Sequence, residues 1–434
     1  MPASPTPSPR ADALPQQVIR RQIRPTARAA VLVWLLAALA PASAHEVEAD
    51  AWPARPGLRI GAGAAVSLLG ADPRVVPAGR FPGWLGSGQS ASDRAGAGLE
   101  HGAVDAGLRI NSWLGAALAV GRHQEERAHV ETARIELRRD VAALWPAALA
   151  AGELRLALGR RRVPLGALVD AAGHFDRYAL VPLAKRLMLN DDWIDDGLDL
   201  GWRRPAAEGL QAVDLGLWRA RKFPGAPHGK PAPAVHAQAE WGDLQVDAFA
   251  AWLAPRGRGA PAASLTAGHS HDLPDCSKSL VGLVCFDGRS TLTGLSASWA
   301  PERRPWRLQG AWLSQLERGE LYTSNAGVGY RGHSQGGWAD AVVDIAPSWQ
   351  AGLRVEQVST RHRLDGPGST GVSVDAGLSP NRAVRRQAVS LGWTMRPGLR
   401  VTGEAGHESS ALGHQRWAGL RLVWSIDDVW STAW

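Results

Sequence analysis

The densest mixture of opposite charges in the chain lies between Leu154 and Trp202. Arg160, Arg161, Arg162, Arg177, Lys185 and Arg186 stand there beside Asp170, Asp176, Asp191, Asp192, Asp195 and Asp196, with His174 among them. Guanidinium and carboxylate groups opposed across a narrow wet space create a transverse field that orders water and orients polar solutes. On a solvated loop the same groups would be ordinary surface charge. The carboxylate pairs Asp191-Asp192 and Asp195-Asp196 read as turn or loop residues rather than acid/base partners. No G-x-S-x-G element, H-E-x-x-H pair or glycine-rich phosphate loop is present, so the reading is non-enzymatic and without a cofactor.

A second group of chemically capable residues is His269-Ser270-His271-Asp272, followed by Asp275, Cys276 and Cys285. Imidazole and carboxylate could ligate a metal. Two cysteines nine apart in an exported chain read as one disulfide closing a short loop, and oxidised cysteines supply no thiolates. His269, His271 and Asp272 are then weak ligand candidates on a disulfide-pinned loop.

Export follows from the N-terminus. Arg10, Arg20, Arg21, Arg24 and Arg28 precede an apolar run from Ala29 to Ala40, then Pro41-Ala42-Ser43-Ala44. That is a charged region, a short hydrophobic region and a small-residue cleavage site, and it predicts a signal peptide over 1–44. The apolar run falls short of the ~20 residues of a spanning helix. The segment holds five Arg and one Asp. The remainder, 45–434, therefore carries 43 basic and 40 acidic residues, a net +3 against +7 for the whole chain. No Lys/Arg-rich run with interleaved aromatics remains, so nucleic acid is not expected as a partner.

The elements that must position these residues read mostly as short strands of alternating polarity. Leu58, Ile60, Ala62, Ala64, Val66 and Leu68 share one face, as do Leu154, Leu156 and Leu158, and later Leu198, Leu200 and Trp202. A hairpin turns at Gly242-Asp243. Its outward set is Val235, Ala237, Ala239, Trp241, Leu244, Val246, Ala248 and Ala250; its inward set includes His236, Asp247 and Phe249. Sixteen strands are expected, with fourteen to eighteen as the range: 57–68, 101–110, 113–122, 129–139, 153–160, 196–204, 210–220, 233–241, 244–253, 290–299, 305–315, 336–346, 349–359, 386–396, 399–407 and 415–426. The alternation stops over 160–195, where Leu180–Leu189 could form a short amphipathic helix.

Three features favour a transmembrane antiparallel β-barrel. Very short connections alternate with long ones at 254–288, 319–335 and 360–384. Trp202, Trp241, Trp299, Trp306, Trp349 and Trp393 sit near strand ends, as a headgroup-zone girdle requires. The faces opposite the apolar ones carry Arg307, Arg354, Glu356, Arg400 and Glu404, which would line a lumen. Closure satisfies every backbone group in hydrocarbon and leaves no edge. The 160–195 insert would then fold into the lumen, with Arg160, Arg161, Arg162, Asp170, His174, Asp176, Arg177, Asp195 and Asp196 forming a constriction. At the C-terminus Asp427-Asp428 interrupt the alternation, so the last strand either ends at Ile426 or carries a polar defect.

At this point the chain resembles the Gram-negative trimeric-type porins, over its length after the signal and by architecture rather than by a sharp motif. Leu158 to Gly166 is similar to the G-x-F-K-x-P-F-G run of phosphate-selective porins, with Arg160-Arg161 where that family carries aromatic and polar residues. His174, Asp176, Pro182-Leu183 and Asp195 to Trp202 look like a set of proteobacterial outer-membrane proteins, some associated with zinc uptake, which carry a second nearby His that is missing here. The resemblance implies a homotrimer in outer-membrane lipid that passes small polar solutes or ions by diffusion. A substrate-specific or zinc-linked barrel, or a barrel-embedded hydrolase, is the alternative. A TonB-dependent receptor does not fit, since ~390 residues leave no room for a plug and 22 strands.

Overall fold

A computed structural model describes residues 52–53, 55–71, 83–85, 96–123, 127–140, 152–173, 175–204, 208–263, 274–379, 381, 383–411 and 413–433. Residues 1–44, read above as a signal peptide, and His174, His269, His271 and Asp272 lie outside the described residues.

The strands are β1 (Gly57–Ala71), β2 (Gly96–Arg109), β3 (Leu114–His123), β4 (His129–Asp140), β5 (Glu153–Arg162), β6 (Ile194–Arg203), β7 (Gly209–Trp218), β8 (Ala232–Trp241), β9 (Leu244–Leu253), β10 (Arg258–Pro261), β11 (Leu283–Trp299), β12 (Trp306–Tyr322), β13 (Gly327–Ala346), β14 (Trp349–Asp365), β15 (Val384–Arg396), β16 (Leu399–Ser410) and β17 (Gly413–Ala433). Each pairs antiparallel with its neighbour, and β1 also pairs with β17. β10 is a four-residue continuation above β9: it pairs with Leu283–Phe286, while β9 pairs with Ser290–Trp299. Sixteen strands therefore close the barrel, as their alternation predicts.

The outward faces carry the apolar residues. Leu68, Val104, Ile135, Leu158, Leu200, Leu217, Leu295, Leu353, Val389 and Leu420 are exposed there. In a water-soluble protein that much exposed aliphatic surface would be anomalous; facing lipid it is the stable arrangement. The six tryptophans all fall at the end with the short turns. Trp299 meets Trp306 edge-on at 5.0 Å, and Trp349 stacks on Trp393 at 5.7 Å.

Two expectations change. The connection read as a loop over 319–335 is a hairpin, because β12 and β13 pair continuously from Trp306–Val343 to Tyr322–Gly327. Strands of 17–20 residues reach about 55–65 Å at ~3.3 Å per residue, well beyond a ~25 Å apolar band. Above that band both faces can be polar, so the hydrophobic alternation fades while the hydrogen-bond ladder continues. At the other end, β17 runs on to Ala433. Its register against β1 shifts between Ile60 and Ala62, opposite 427–429, so a bulge takes up Asp427 and Asp428.

The insert leaves the wall between Arg162 and Ile194, so Arg160–Arg162, Asp195 and Asp196 are strand residues. Its base is closed by the Val163 N–H donating to Trp193 O at 2.9 Å. It contains two short helices, α1 (Ala167–Ala171) and α2 (Leu183–Leu189). All seven residues of α2 are buried, including Lys185 and Arg186. The helix expected over Leu180–Leu189 is therefore present but enclosed on every side. Val163, Leu165, Leu183, Met188, Leu189 and Trp193 form one apolar cluster with the inward-facing Phe249, Leu292, Leu313, Trp338 and Val358. Gly166 permits the approach to β9: its φ is +111°, and a Cβ there would stand 2.7 Å from Asp247 Cβ.

Candidate functional site: the charged lumen and its insert

Period-two alternation sends one side chain in two of each strand inward, and on β12 and β14–β17 those positions place Arg307, Arg354, Arg386, Arg400 and Arg421 along one stretch of the inner wall. Four of them hold the insert. Arg354 donates to Asp340 at 2.7 and 2.9 Å and to Asp176 Oδ2 at 2.8 Å. Its guanidinium also lies 4.1 Å from the centre of the Tyr178 ring. Arg400 donates to the carbonyls of Phe175 and Asp176, each at 2.7 Å. Arg386 donates to Val181 O at 3.0 Å, and Arg421 donates to the carbonyls of Asp176 and Tyr178.

Two wall carboxylates take the insert's backbone N–H groups. Glu404 accepts from Ala179 N at 2.8 Å and Glu356 from Leu183 N at 2.6 Å. Three of the four also have an acidic neighbour on the wall: Arg354 has Asp340, Arg386 pairs with Glu408 at 2.8 Å and Arg421 with Glu100 at 2.6 Å. Buried charges held in this way keep their hydrogen bonds and do not stand alone in a low dielectric. The predicted lumen residues Arg354, Glu356, Arg400 and Glu404 thus share one task, gripping residues 175–183 of the insert. Arg307 lies near Arg177, and its positive charge adds to the burial that lowers the pKa of the Arg177 guanidinium.

Within the insert, burial alone would raise the Asp176 carboxyl. The charge and hydrogen bond of Arg354, with the Arg177 N–H and the Arg400 charge, outweigh it and hold the pKa below its ordinary value. Arg177 donates to Gln350 Oε1 at 2.5 Å. A Cβ at Gly352 would come within 2.7 Å of Ser390 Oγ and 2.9 Å of Arg177 Cδ and Tyr178 Oη, so any side chain at this position of β14 would push the insert's Arg177 and Tyr178 from their places.

The other predicted constriction residues among those described fall in four places. Arg161 faces inward and is buried. It begins a ladder across five adjacent strands: Arg161 to Asp199 at 3.1 Å, Arg155 to Asp199 and Asp214 at 2.8 and 2.9 Å, and His236 to Asp214 and Asp247, each at 3.0 Å. Arg162 and Asp170 pin the root of the insert. Arg162 donates to Asp170 O at 2.7 Å and pairs with Asp192 at 3.2 Å, and Asp192 also pairs with Lys185 at 2.8 Å. Asp195 is buried and accepts from the N–H groups of Arg221 and Lys222 in the next connection.

Arg160 and Asp196 stand elsewhere. They pair at 2.9 Å, on the same face as the exposed Ala133, Leu158 and Leu198. The strand register therefore puts them on the outer surface near the rim, where Asp196 also meets Arg219 at 3.3 Å. Sequence pattern missed Arg155, Asp214, Arg386 and Arg421. The first two and Arg421 stand between Leu or Val residues of the outer face, a readable signal; Arg386 stands between Arg385 and Gln387, where the apolar pattern has faded.

The Cys276–Cys285 disulfide is formed, with Cα atoms 6.1 Å apart. Beside it the Ser277 hydroxyl, the Ser277 N–H and His228 hold the Asp275 carboxyl down at about 2. Among the described residues the fold gathers three imidazoles, His101, His123 and His129, on β2–β4, and stacks His407 on His414 across β16 and β17.

These features define a closed transmembrane β-barrel of the outer-membrane type. The solved structures it is similar to agree. A loop L8 deletion mutant of OmpT, an outer membrane protein of Vibrio cholerae, is similar with a TM-score of 0.53 and 11% identity over 85% of this chain and 99% of that one. In-vitro folded OmpT of Vibrio cholerae gives 0.50 and 12%, over 88% and 99%. The outer membrane channel DcaP of Acinetobacter baumannii gives 0.52 and 8%, over 87% and 99%. At these identities the likeness is one of fold. No protein-family model and no curated protein matches the sequence.

Proposed function

We propose that this protein is a diffusion channel of a Gram-negative outer membrane, exported by residues 1–44, which passes small polar solutes or ions through a lumen narrowed by the 163–193 insert. The observation that carries this reading is the grip of Arg354, Arg386, Arg400 and Arg421 on residues 175–181 of the insert. It leaves Asp176 and Arg177, of opposite sign, side by side against the cationic wall. Fixed charges of both signs at a narrow passage favour hydrated polar solutes over apolar ones without demanding strong ion preference. A homotrimer is part of the same proposal.

Liposome swelling with sugars and amino acids tests it. Because Val163 and Trp193 already meet at the base of the insert, a variant with 166–190 replaced by a short Gly-Ser linker keeps the wall intact. Wild-type protein is expected to pass several small solutes, and the shortened variant to swell liposomes several-fold faster. Absence of swelling from both proteins, each shown to be folded by heat-modifiable gel migration, would sink the diffusion reading.

A further inference from the structure

Three imidazoles converge on one carboxylate at the inner rim of β2–β4. His101 Nε2 lies 2.8 Å from Glu131 Oε1, and the Nε2 atoms of His123 and His129 each lie 3.6 Å from that same oxygen. A ligand atom from each of His101, His123 and Glu131 falls within 4.8 Å of the other two. The rings are layered: His101 stacks on His123 at 4.7 Å and His123 on His129 at 5.3 Å.

The backbone is shaped around this group. β3 and β4 pair Val120 with Val130 but Ala119 with Thr132, so Glu131 is the extra residue of a bulge. A bulge re-aims a side chain, and here it shifts the alternation so that His129 and Glu131, like Arg134 and Glu136 beyond it, face inward on the side of His101 and His123. Gly121 supplies the space. A Cβ at that position would stand 2.1 Å from Glu131 Oε1 and 2.7 Å from His101 Nε2. Any side chain at residue 121 would fill the place where imidazole and carboxylate meet.

We propose that His101, His123 and Glu131, with His129 as a fourth ligand, bind one divalent transition-metal ion of the zinc class at the lumen wall. Imidazole nitrogen with one carboxylate oxygen is a donor set that suits zinc, copper or nickel and disfavours calcium and magnesium. A tetrahedral zinc with ligands at ~2.0–2.1 Å sets its donors roughly 3.3 Å apart. The separations from Glu131 Oε1, 2.8 and 3.6 Å, bracket that value; the imidazole nitrogens of His101 and His123, within 4.8 Å of each other, would draw together around the ion, and His129 would swing in last. The site stands apart from the arginine wall but touches the insert, since Phe175 meets the His101 ring edge-on at 5.3 Å. It does not depend on the solute that the channel carries.

Calorimetric titration of the folded protein in detergent with zinc chloride tests the proposal, with magnesium chloride as the comparison ion. One equivalent of zinc should bind reversibly to EDTA, and magnesium should not bind. His101→Ala, His123→Ala and Glu131→Gln should each weaken binding at least tenfold, while His269→Ala with His271→Ala should leave it unchanged. On wild-type protein, zinc should also shield the partly exposed His129 from diethylpyrocarbonate, read by mass spectrometry; this arm needs no variant to fold. Absence of saturable zinc binding, binding that survives the His101 and His123 substitutions, or loss on substituting His269 and His271 would each overturn it.

Discussion

Arg354 and Asp176, 178 residues apart in sequence, meet at 2.8 Å, and the same guanidinium is held by both oxygens of Asp340. The wall thus presents an already oriented cation to the insert. Arg354→Ala removes the partner of two carboxylates at once. Breaking a buried ion pair by deleting one member costs about 3–5 kcal/mol. The variant is expected to lose its heat-modifiable gel shift at lower temperature than wild type and to show larger current fluctuations in planar bilayers. Unchanged current noise would mean that the contact does not restrain the insert.

Acid should release the same contact. The folded pKa of Asp176 lies below its ordinary 3.8. The stabilisation it gives is therefore complete above that value and is lost as pH falls through the lower, folded pKa. Channel noise is expected to stay constant from neutral pH down to about pH 4 and to rise below it. Asp176→Asn should be noisy at every pH and lack the transition, as measured by single-channel recording across a pH series.

The outer face gives a third prediction. Leu200 is exposed and pairs with Leu156 and Leu215 within an apolar band. Leu200→Arg should cost roughly 2–4 kcal/mol if it lies near the bilayer midplane, read as a lower denaturant midpoint for refolding into vesicles. A similar cost in detergent alone would argue against a lipid-facing position.

The disulfide acts locally. Its loop spans nine residues of separation, for which chain-entropy arguments give roughly 3 kcal/mol of restraint on that loop. Reduction, or Cys285→Ser, is expected to open residues 276–285 to limited proteolysis while the barrel's gel shift stays as it was. Loss of the shift would mean that the bridge supports the wall.

The wall was largely legible before the structure. Each lipid-facing strand must bury its backbone polar groups in pairing and show apolar groups to hydrocarbon, and this stamps a period of two on the sequence. Leu58–Leu68 and the Gly242-Asp243 hairpin carry that stamp plainly. The upper parts of β12 and β13 do not, because water on both sides removes the apolar constraint. The Asp427-Asp428 interruption marked a real irregularity, but whether it ended the strand or bulged within it depended on pairing with β1.

The sequence by itself determined the closed architecture, the face taken by the plainly alternating stretches, the disulfide and the existence of a non-strand insert rich in charge. These are local or periodic properties, set by solvent on one side and hydrocarbon on the other. Only the tertiary structure decided which charges meet. It joined Asp176 to Arg354, put Arg160 and Asp196 on the outer face, and gathered His101, His123 and His129 around Glu131. Such meetings depend on strand register, bulges and the path of a thirty-residue loop, and a one-residue shift in any of them would change the partner.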